Sequence, residues 1–392
     1  MSLIPYGRQN ISQADIDAVV EVLRSDFLTQ GPVVPQFECA VAAYCGAQMA
    51  VAVNSATSAL HIACLALDVG PGDLVWTTPI TFVATANCAR YCGADVDFVD
   101  INPRTFNLCP ERLAEKLERA RLTGRLPKVV IPVHMAGQSC DMEAIHLLAR
   151  AYGFRIIEDA SHAIGGAYKG ERIGSCRYSD ITVFSFHPVK IITTGEGGIA
   201  LTNDAELVKR MARLRSHGVT RYASEMTKPS EGSWYYQQIE LGFNYRMTEI
   251  QAALGISQLK RVDEFVTERN RQANVYDTML QEQRFSTPVR HPDCDSSWHL
   301  YVVRLQGADP ALRRLNIFES MRADGVGVNV HYIPVYRQPY YAHMNFTSTD
   351  FPEAENYYAQ AITLPLYPGL TEEQQKYVVR SLSKPAGYQT LF

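Results

Sequence analysis

The sequence predicts an α/β fold with a mainly parallel central sheet, followed by a smaller C-terminal α+β domain. Apolar β-branched runs alternate with helical patterns through the first two-thirds of the chain, which is typical of βαβ units whose helices cover both faces of a sheet. From about Arg246 that alternation stops and a long helical stretch begins. With 392 residues, 46% of them hydrophobic and 20% charged, the chain is long enough for two or three domains and is not globally disordered.

The first predicted helix begins at Ser12, a hydroxyl residue suited to a helix N-cap, and carries Asp15 in its first turn. Short apolar runs then predict strands at Val51–Val53, Leu74–Trp76, Val96–Val99, Val129–Val133, Phe154–Ile157 and Ile181–Phe186. Helical patterns lie between many of them, at Thr57–Leu67, Pro110–Arg121 and Asp141–Tyr152. Because parallel sheets bind ligands at the carboxyl ends of their strands, we expect functional residues just after these runs.

The C-terminal part combines helices and strands in a different order. Helical spacing predicts one long stretch from Arg246 to Glu282. It is followed by strands at Leu300–Leu305 and Val328–Val330 and by helices at Ala311–Ala323 and Glu372–Leu382. We therefore predict a large α/β domain over residues 1–250 and a small α+β domain over residues 251–392.

Between these parts, the segment Arg221–Gln238 carries aromatic side chains among Ser, Gly and Pro. The aromatic residues are Tyr222, Trp234, Tyr235 and Tyr236. This composition predicts a long surface loop, either an active-site lid or a contact between subunits.

Composition also excludes several classes of function. The chain has 37 Lys and Arg against 41 Asp and Glu, a net charge of −4, so nucleic acid and anionic membrane surfaces are not expected partners. No apolar run is long enough to span a membrane, and the first residues lack an apolar signal core, which predicts a cytoplasmic protein. The nine scattered cysteines are not a disulfide framework. Cys88 and Cys92 have no second pair at zinc-ligand spacing, so no metal site is predicted.

The strand at Ile181–Phe186 leads into a turn with three candidate functional side chains: Ser185, His187 and Lys190. A lysine just after a buried strand is desolvated, which lowers the pKa of its amine and frees the lone pair for Schiff-base chemistry. The alternative is a lysine whose stem packs at the strand end while its charge reaches water.

A second candidate lies at Arg155–His162, where Asp159 ends an apolar strand. A carboxylate at that position can hold the ring nitrogen of a pyridine cofactor in its protonated form, which makes the ring an electron sink. His162, three residues later, could reach the same ring. Taken alone, Asp159 is better explained as a cap on the next helix.

Two further stretches follow the first two strands. In Val53–His61, the small and hydroxyl residues Ser55, Ala56, Thr57 and Ser58 lie where a helix begins. The exposed N–H groups of that helix end suit a phosphate, although an ordinary N-cap is the commoner explanation. In Thr77–Asn87, Phe82 could stack on a flat ring or pack in the core. Together the four stretches provide a phosphate site, a stacking aromatic, a carboxylate and an amine. That set predicts pyridoxal phosphate as cofactor.

The same residues resemble the DegT/StrS family of nucleotide-sugar aminotransferases, nearly end to end. The matching segments are Leu28–Gly31, Asn54–Leu60, Pro79–Asn87, Glu158–His162, Ser185–Lys190, Glu196–Gly198, Arg215–Gly218, Gly242–Met247 and His331–Pro334. The resemblance implies the aspartate aminotransferase-like fold of pyridoxal-phosphate-dependent transferases (fold type I). Ser161 stands where Ala is common in the family, and the sequence gives it no role.

The resemblance also implies roles for individual residues. Lys190 would form the Schiff base with the cofactor and carry protons, Asp159 would pair with the pyridine nitrogen, and His162 would lie beside the ring. Phe82 would stack on the ring, while Ala56, Thr57 and Ser185 would hold the phosphate. Asn244 would reach the phosphate of the neighbouring subunit in a homodimer with shared active sites. The residues matched to sugar-nucleotide contacts are Tyr6, His187 and His331.

The implied reaction moves the amino group of L-glutamate to the 4-keto group of a nucleotide sugar. Within the family the chain looks most similar to enzymes that form UDP-4-amino-4,6-dideoxy-N-acetyl-β-L-altrosamine for pseudaminic acid. Some family members have His at the position of Lys190 and catalyse dehydration instead, so the lysine favours transamination.

Three alternatives remain at this point. The sugar could be that of a perosamine-type or a 4-amino-arabinose-type transaminase, because surface loops discriminate sugar epimers. The chain could be a non-catalytic regulator on the same fold, although it retains Lys190, Asp159, His162 and Ser185 together. A dinucleotide-binding dehydrogenase would suit the βαβ rhythm, but no G-x-G-x-x-G follows the first strand.

Overall fold

The structure is a computed structural model that describes residues 3–281 and 285–384. Its helices are α1 (Gln13–Leu23), α2 (Val33–Cys45), α3 (Ala56–Ala66), α4 (Ala84–Tyr91), α5 (Pro110–Thr123), α6 (Met142–Tyr152), α7 (Ala205–Arg215), α8 (Glu249–Leu259), α9 (Val262–Leu280), α10 (Pro310–Ala323), α11 (Pro352–Gln360) and α12 (Glu372–Leu382). Its strands are β1 (Met49–Val53), β2 (Leu74–Thr77), β3 (Asp95–Phe98), β4 (Val129–Ile131), β5 (Arg155–Asp159), β6 (Ala167–Tyr168), β7 (Glu171–Arg172), β8 (Ile181–Ser185), β9 (Gly198–Thr202), β10 (Val219–Thr220), β11 (Gln237–Gln238), β12 (Phe285–Ser286), β13 (Cys294–Asp295), β14 (Tyr301–Leu305) and β15 (Ala361–Leu364).

The central sheet has seven strands in the order β1-β9-β8-β5-β4-β2-β3. Strands β3, β2, β4, β5 and β8 pair in parallel, whereas β9 pairs antiparallel with both β8 and β1. Strand β9 therefore runs against the other six. The predicted α/β fold with a mainly parallel sheet is confirmed.

Both faces of this sheet are covered, as predicted. In β1, Val51 and Val53 belong to one buried apolar cluster, whereas Ala50 and Ala52 belong to another. Successive side chains of a strand point to opposite faces, so the two clusters lie on opposite sides of the sheet. The helix predicted from Ser12 is α1, where the Ser12 and Asp15 side chains form a capping box.

The C-terminal part contains a smaller antiparallel sheet in the order β12-β14-β15. Its buried cluster includes Tyr301 and Val303 of β14, and also Ile4 from the beginning of the chain. Ile4 joins it through backbone hydrogen bonds with Gly325 and Gly327. The division into residues 1–250 and 251–392 stays a prediction, and both outer ends of those ranges lie outside the described residues.

Two predictions in the C-terminal part were wrong in detail. The stretch predicted as one helix from Arg246 is two, α8 and α9, separated at Lys260 and Arg261, and its predicted end, Glu282, lies outside the described residues. The strand predicted at Val328–Val330 is reduced to a single bridge between Asn329 and Thr363. The segment between β10 and β11 is mostly irregular, with Tyr222 and Trp234 more than 70% exposed, as expected of a surface loop.

Two further findings concern ligands and membranes. Among residues 3–281 and 285–384, His, Cys, Asp and Glu side chains do not form a group arranged to hold a metal ion. None of the helices in these ranges is long and apolar enough to cross a membrane.

Candidate active site

A cavity of about 1020 Å³ lies where β1, β2, β5 and β8 end. Its walls include these residues predicted from the sequence: Tyr6, Ala56, Thr57, Phe82, Asp159, His162, Ser185, His187, Lys190 and His331. The carboxyl ends of parallel strands meet at one edge of a sheet, which explains why segments far apart in the chain converge there. We call this space the cofactor cavity.

One end of the cavity is formed by the N-terminus of α3. Ser55 caps the helix by accepting a hydrogen bond from the backbone N–H of Ser58, which leaves the N–H groups of Ala56 and Thr57 in the first turn. Strand β9 passes directly beneath: a Cβ at Gly198 would lie 2.5 Å from the backbone nitrogen of Ala56. Gly198 in turn pairs with Ser185 of β8. The glycine thus brings the helix terminus and the Ser185 hydroxyl together, as an anion site requires.

Asp159 ends β5 and is only 5% exposed. Its two carboxylate oxygens have separate donors: the Ser161 hydroxyl donates to Oδ1 at 2.6 Å, and the Thr85 hydroxyl donates to Oδ2 at 2.7 Å. The Thr85 hydroxyl is also 2.7 Å from that of Thr81. These bonds fix the orientation of the carboxylate in the cavity wall.

Lys190 lies in the turn after β8, where its backbone N–H donates to the carbonyl oxygen of His187 at 2.9 Å. Desolvation lowers the pKa of the Lys190 amine to about 8, although the negative charge of Asp159 opposes the shift. A lysine with this pKa carries a substantial neutral fraction near neutral pH, and the neutral amine is the nucleophilic form.

His162 is buried beside a second histidine that the sequence did not single out. The ring centroids of His162 and His299 are 4.4 Å apart, and the Tyr332 hydroxyl is 3.1 Å from Nε2 of His162. Burial, reinforced by the charge of Lys190, holds the pKa of both histidines well below the ordinary value. Both rings are therefore neutral, and among the described residues neither Nδ1 atom has a hydrogen-bond partner.

The position of Phe82 decides between the two roles that the sequence left open, stacking on a flat ring or packing in the core. Its side chain is 58% exposed and lines the cofactor cavity, so it is not a core residue. The ring centroids of Phe82 and Tyr332 are 6.2 Å apart. An aromatic face exposed in a cavity is available to stack on a flat ring.

The residues predicted for sugar-nucleotide contacts also line the cavity. Tyr6 and His331 have ring centroids 5.7 Å apart, and Nδ1 of His331 is 2.8 Å from the Thr363 hydroxyl. Burial and the nearby Lys190 lower the pKa of His331 to about 3, so this imidazole is neutral. His187 is more open, with Nε2 4.0 Å from Glu196.

Asn244 is the predicted site residue that does not line the cofactor cavity. It is exposed and forms a backbone bridge with Ser216. The next residue, Tyr245, accepts a backbone hydrogen bond from Asn54 at the end of β1. Asn244 therefore lies close in the chain to the phosphate end of the cavity but outside its walls.

Sequence analysis did not assign roles to Thr85, Ser161, His299 and Tyr332, all of which line the cavity. The sequence did show that Ser161 replaces the Ala common in the family, and this difference could have drawn attention to it. Thr85 lies in the stretch after the second predicted strand, where only Phe82 was singled out, and His299 lies outside the predicted strand ends, so their contacts depend on tertiary packing.

The residues of the cofactor cavity fit pyridoxal phosphate. The anion site at Ala56 and Ser185 suits the phosphate, the fixed carboxylate of Asp159 suits a protonated pyridine nitrogen, and the desolvated Lys190 amine suits an aldehyde. Without the glycine at 198, the backbone of α3 could not approach β9 as it does.

Comparison with known proteins gives a consistent result. The sequence model of the DegT/DnrJ/EryC1/StrS aminotransferase family matches residues 9–383. The chain is 40% identical over 382 residues to the spore coat polysaccharide biosynthesis protein SpsC of Bacillus subtilis, covering 97% of this chain and 96% of that protein. It is 37% identical over 383 residues to a UDP-4-amino-4,6-dideoxy-N-acetyl-β-L-altrosamine transaminase of Campylobacter jejuni (97% and 96% covered). It is 38% identical over 373 residues to GDP-perosamine synthase of Caulobacter vibrioides (94% of each).

Solved structures agree with these relatives. Helicobacter pylori PseC, an aminotransferase involved in the biosynthesis of pseudoaminic acid, superimposes with a TM-score of 0.88 at 32% identity, covering 97% of this chain and 98% of that one. The sugar aminotransferase Spr1654 of Streptococcus pneumoniae, described as putative and solved in its PLP form, gives a TM-score of 0.87 at 31% identity, with 97% of each chain covered.

Proposed function

The chain belongs to the DegT/DnrJ/EryC1/StrS aminotransferase family, and from that premise we propose that it transfers the amino group of L-glutamate to the C4 keto group of a UDP-linked 4-keto-6-deoxy-N-acetylhexosamine. The product is UDP-4-amino-4,6-dideoxy-N-acetyl-β-L-altrosamine, a precursor of pseudaminic acid. The coarser activity is established: the chain is a pyridoxal-phosphate-dependent sugar aminotransferase. The similarity to the Campylobacter jejuni transaminase over 97% of the chain supports the finer proposal.

The observation that carries the reaction is the position of the Lys190 amine, which belongs to the one lysine among the described residues that line the cavity. Pyridoxal phosphate, when bound, supplies an electron-withdrawing ring that stabilises negative charge on a carbon that loses its proton. Lys190 takes the proton from the α-carbon of L-glutamate in the first half-reaction. In the second, Lys190 delivers a proton to C4 of the sugar. A single base on one side of the cavity would fix the configuration of the new amine.

The other cavity residues position the cofactor. Asp159, held by Ser161 and Thr85, would keep the pyridine nitrogen protonated, and Phe82 would cover one face of the ring. His162 would contact the ring edge as a neutral imidazole, because burial holds its pKa low. The N–H groups of Ala56 and Thr57 and the Ser185 hydroxyl would bind the phosphate.

For the sugar nucleotide, we propose contacts from Tyr6, His187 and His331, which all line the cavity. We also propose a homodimer in which Asn244 completes the phosphate site of the neighbouring subunit. The exposed position of Asn244, outside the cavity of its own chain, supports this arrangement.

The competing sugar is a GDP-linked 4-keto hexose, because GDP-perosamine synthase of Caulobacter vibrioides is equally similar at 38% identity. A 4-amino-arabinose-type reaction is a further candidate, since such an aminotransferase of Shewanella sediminis is 34% identical. These reactions share the base and the cofactor and differ in the nucleotide and the sugar.

The deciding experiment measures kcat/KM for each 4-keto sugar nucleotide with L-glutamate as donor, with the amino sugar detected by mass spectrometry. We expect the UDP-linked N-acetyl sugar to be preferred. Turnover only with the GDP-linked sugar would overturn the proposed substrate while leaving the aminotransferase activity intact. A visible spectrum before and after L-glutamate separately tests the first half-reaction, because the absorbance of enzyme-bound pyridoxal phosphate should bleach.

A further inference from the structure

One buried histidine of the cofactor cavity has no role in the proposed reaction. His299 lies just before β14, is only 5% exposed and lines the cofactor cavity. Its ring packs on that of His162, which follows β5 of the central sheet, with the ring centroids 4.4 Å apart and the ring planes tilted by 44°. The contact therefore joins the C-terminal part of the chain to the residue proposed to contact the cofactor ring.

The backbone that carries His299 is fixed by a buried arginine. Arg269 of α9 is 1% exposed, and its Nη1 donates to the backbone oxygens of Trp298, His299 and Leu366 at 3.1, 3.2 and 3.0 Å. Among residues 3–281 and 285–384, no carboxylate oxygen lies within 4.0 Å of its nitrogens. Because a buried charge must be satisfied by hydrogen bonds, these carbonyl groups tie residues 298 and 299 to α9.

A second set of contacts holds the backbones of the two histidines together. The Ser297 hydroxyl donates to the backbone oxygen of His162 at 2.8 Å. Gly137 lies against both, since a Cβ there would be 2.5 Å from Oγ of Ser297 and 3.0 Å from the backbone oxygen of His162. Trp298 has a φ of +50°, a region in which a side chain as large as indole is retained only when the surroundings fix the backbone. The spacing between His162 and His299 is therefore set by the fold.

The His162 ring has few other contacts that could fix its orientation. Its Nε2 is 3.1 Å from the Tyr332 hydroxyl, and its Nδ1 has no hydrogen-bond partner in the part of the chain that the structure describes. The torsion that turns a histidine ring about its Cβ–Cγ bond has broad minima, so one hydrogen bond leaves the ring plane free to tilt. The packed ring of His299 restricts that tilt.

We propose that His299 is a positioning residue for pyridoxal phosphate: its ring fixes the plane of the His162 ring, and His162 contacts the edge of the cofactor. His299 acts through packing, because the two described side chains share a ring contact and leave both Nδ1 atoms unpaired. Another flat ring at this position should therefore serve equally well. The inference rests on the proposed contact between His162 and the cofactor and does not depend on the sugar substrate.

The test compares His299→Ala with His299→Phe, since both lack the imidazole nitrogens and only the second keeps a flat ring. Apoprotein of each variant is titrated with pyridoxal phosphate, and the absorbance maximum of the bound cofactor is recorded. We expect His299→Ala to weaken cofactor binding about tenfold, the effect of losing one aromatic contact, and to shift the absorbance maximum in the same direction as His162→Ala. His299→Phe should stay near the wild type in both measurements.

His146→Ala is the matched control, because His146 also packs on an aromatic ring, that of Tyr178 at a centroid distance of 5.9 Å, but does not line the cofactor cavity. It should lower the free energy of unfolding and leave both cofactor measurements unchanged.

The two parts of the inference can fail separately. Wild-type values in His299→Ala, when His162→Ala changes both measurements, would overturn the role of His299 and keep the His162 contact. No change in His162→Ala would remove both. Equal changes in His299→Ala and His299→Phe would also overturn the inference, because ring packing would then not be what matters. If His299→Ala does not fold, His299→Asn, which likewise lacks a ring, takes its place.

Discussion

Two cavities of nearly equal volume open on different sides of the central sheet. The cofactor cavity has about 1020 Å³, and a second one, which we call the edge cavity, has about 1000 Å³. The edge cavity lies along β3, the last strand of the sheet, between α5 and the segment 343–352. Only the cofactor cavity lies at the carboxyl ends of several strands. The two cavities are therefore distinguished by their position and by the chemistry of their lining residues, not by their volume.

Each cavity is lined by a lysine whose pKa is lowered by desolvation. In the edge cavity, the Lys116 amine is 2.5 Å from Asp97, donates to the backbone oxygen of Phe98 at 2.6 Å, and lies 5.0 Å from the ring centroid of Trp76. In the cofactor cavity, Lys190 has no ion-pair partner within 4.0 Å in the part of the chain that the structure describes. A lowered lysine pKa is therefore not by itself a sign of catalysis. The amine must also be free to react.

The largest expected effect is the loss of turnover in Lys190→Ala, which distinguishes Lys190 from Lys116. Lys190→Ala should retain pyridoxal phosphate through Asp159, Phe82 and the phosphate site, because none of these contacts uses the amine. Turnover should fall by about 10⁴-fold or more, because the nucleophile and the proton carrier are both lost. Steady-state transamination assays, with a cofactor titration in the same variant, measure both outcomes.

Lys116→Met is the control for that experiment, since it removes a lysine of lowered pKa from the edge cavity. Turnover near the wild-type rate in this variant is the expected result. Full activity in Lys190→Ala would remove Lys190 from the mechanism and with it the distinction between the cavities.

The second prediction concerns pH. Below a pKa of about 8, Lys190 is protonated and cannot attack an aldehyde. The rate at which apoprotein captures pyridoxal phosphate should therefore fall about tenfold for each pH unit below that pKa and level off above it. An ordinary lysine would level off only near pH 10.4. Stopped-flow absorbance between pH 6 and 10 gives the profile, and a plateau beginning near 10 would contradict the assignment.

The lowered pKa of Lys190 also affects the free energy of unfolding. The unfolded chain, with a lysine pKa of about 10.4, binds more protons than the folded apoprotein between pH 8 and 10.4. Lys190 should therefore contribute an increase in the free energy of unfolding of the apoprotein as pH rises through this window, so the stability of Lys190→Ala relative to the wild type should decrease as pH rises.

Much of the cofactor cavity could be predicted because its residues follow strands that are readable as apolar runs. Asp159 and Lys190 each come directly after such a run, and the N-terminus of α3 follows another. The fold was predictable for the same reason. Strand β9 was missed because it follows a glycine-rich turn and pairs antiparallel, and no local pattern encodes the direction of pairing.

Contacts between distant segments could not be predicted. Thr85 reaches Asp159 across 74 residues, and Tyr332 reaches His162 across 170. Each of these side chains is ordinary in its own segment and gains a role only when the sheet brings the segments together. The break between α8 and α9 was equally hidden, because Lys260 and Arg261 are compatible with a continuous helix.

The third prediction tests one of these hidden contacts. Ser161→Ala removes the hydroxyl donor to Oδ1 of Asp159 and keeps the backbone N–H of residue 161, which donates to the same oxygen at 3.1 Å. A hydrogen bond to a charged group contributes about 1.5–3 kcal/mol. We expect kcat to fall about tenfold with little change in KM for the sugar nucleotide, since Ser161 orients a residue that touches the cofactor.

A matched control lies beside it. Ser179→Ala removes a similar 2.5 Å hydrogen bond, to Glu158, the residue next to Asp159 in β5, whose side chain does not line the cofactor cavity. It should affect stability and leave kcat unchanged. Equal losses of kcat in both variants would mean that Ser161 acts through folding rather than through Asp159.

The smallest expected effect belongs to the edge cavity. Lys116→Met removes the ammonium that lies over Trp76 and that donates to Asp97 and to the backbone oxygen of Phe98, while Asp97 keeps the backbone N–H of Phe98 as a donor. Water can replace the lost amine at the partly exposed Asp97, whereas the backbone oxygen of Phe98 is buried and loses a donor, so we expect the free energy of unfolding to fall by about 1–2 kcal/mol. Urea denaturation of the holoenzyme measures this loss. A normal unfolding midpoint combined with lost turnover would place Lys116 in the reaction and show that both cavities serve catalysis.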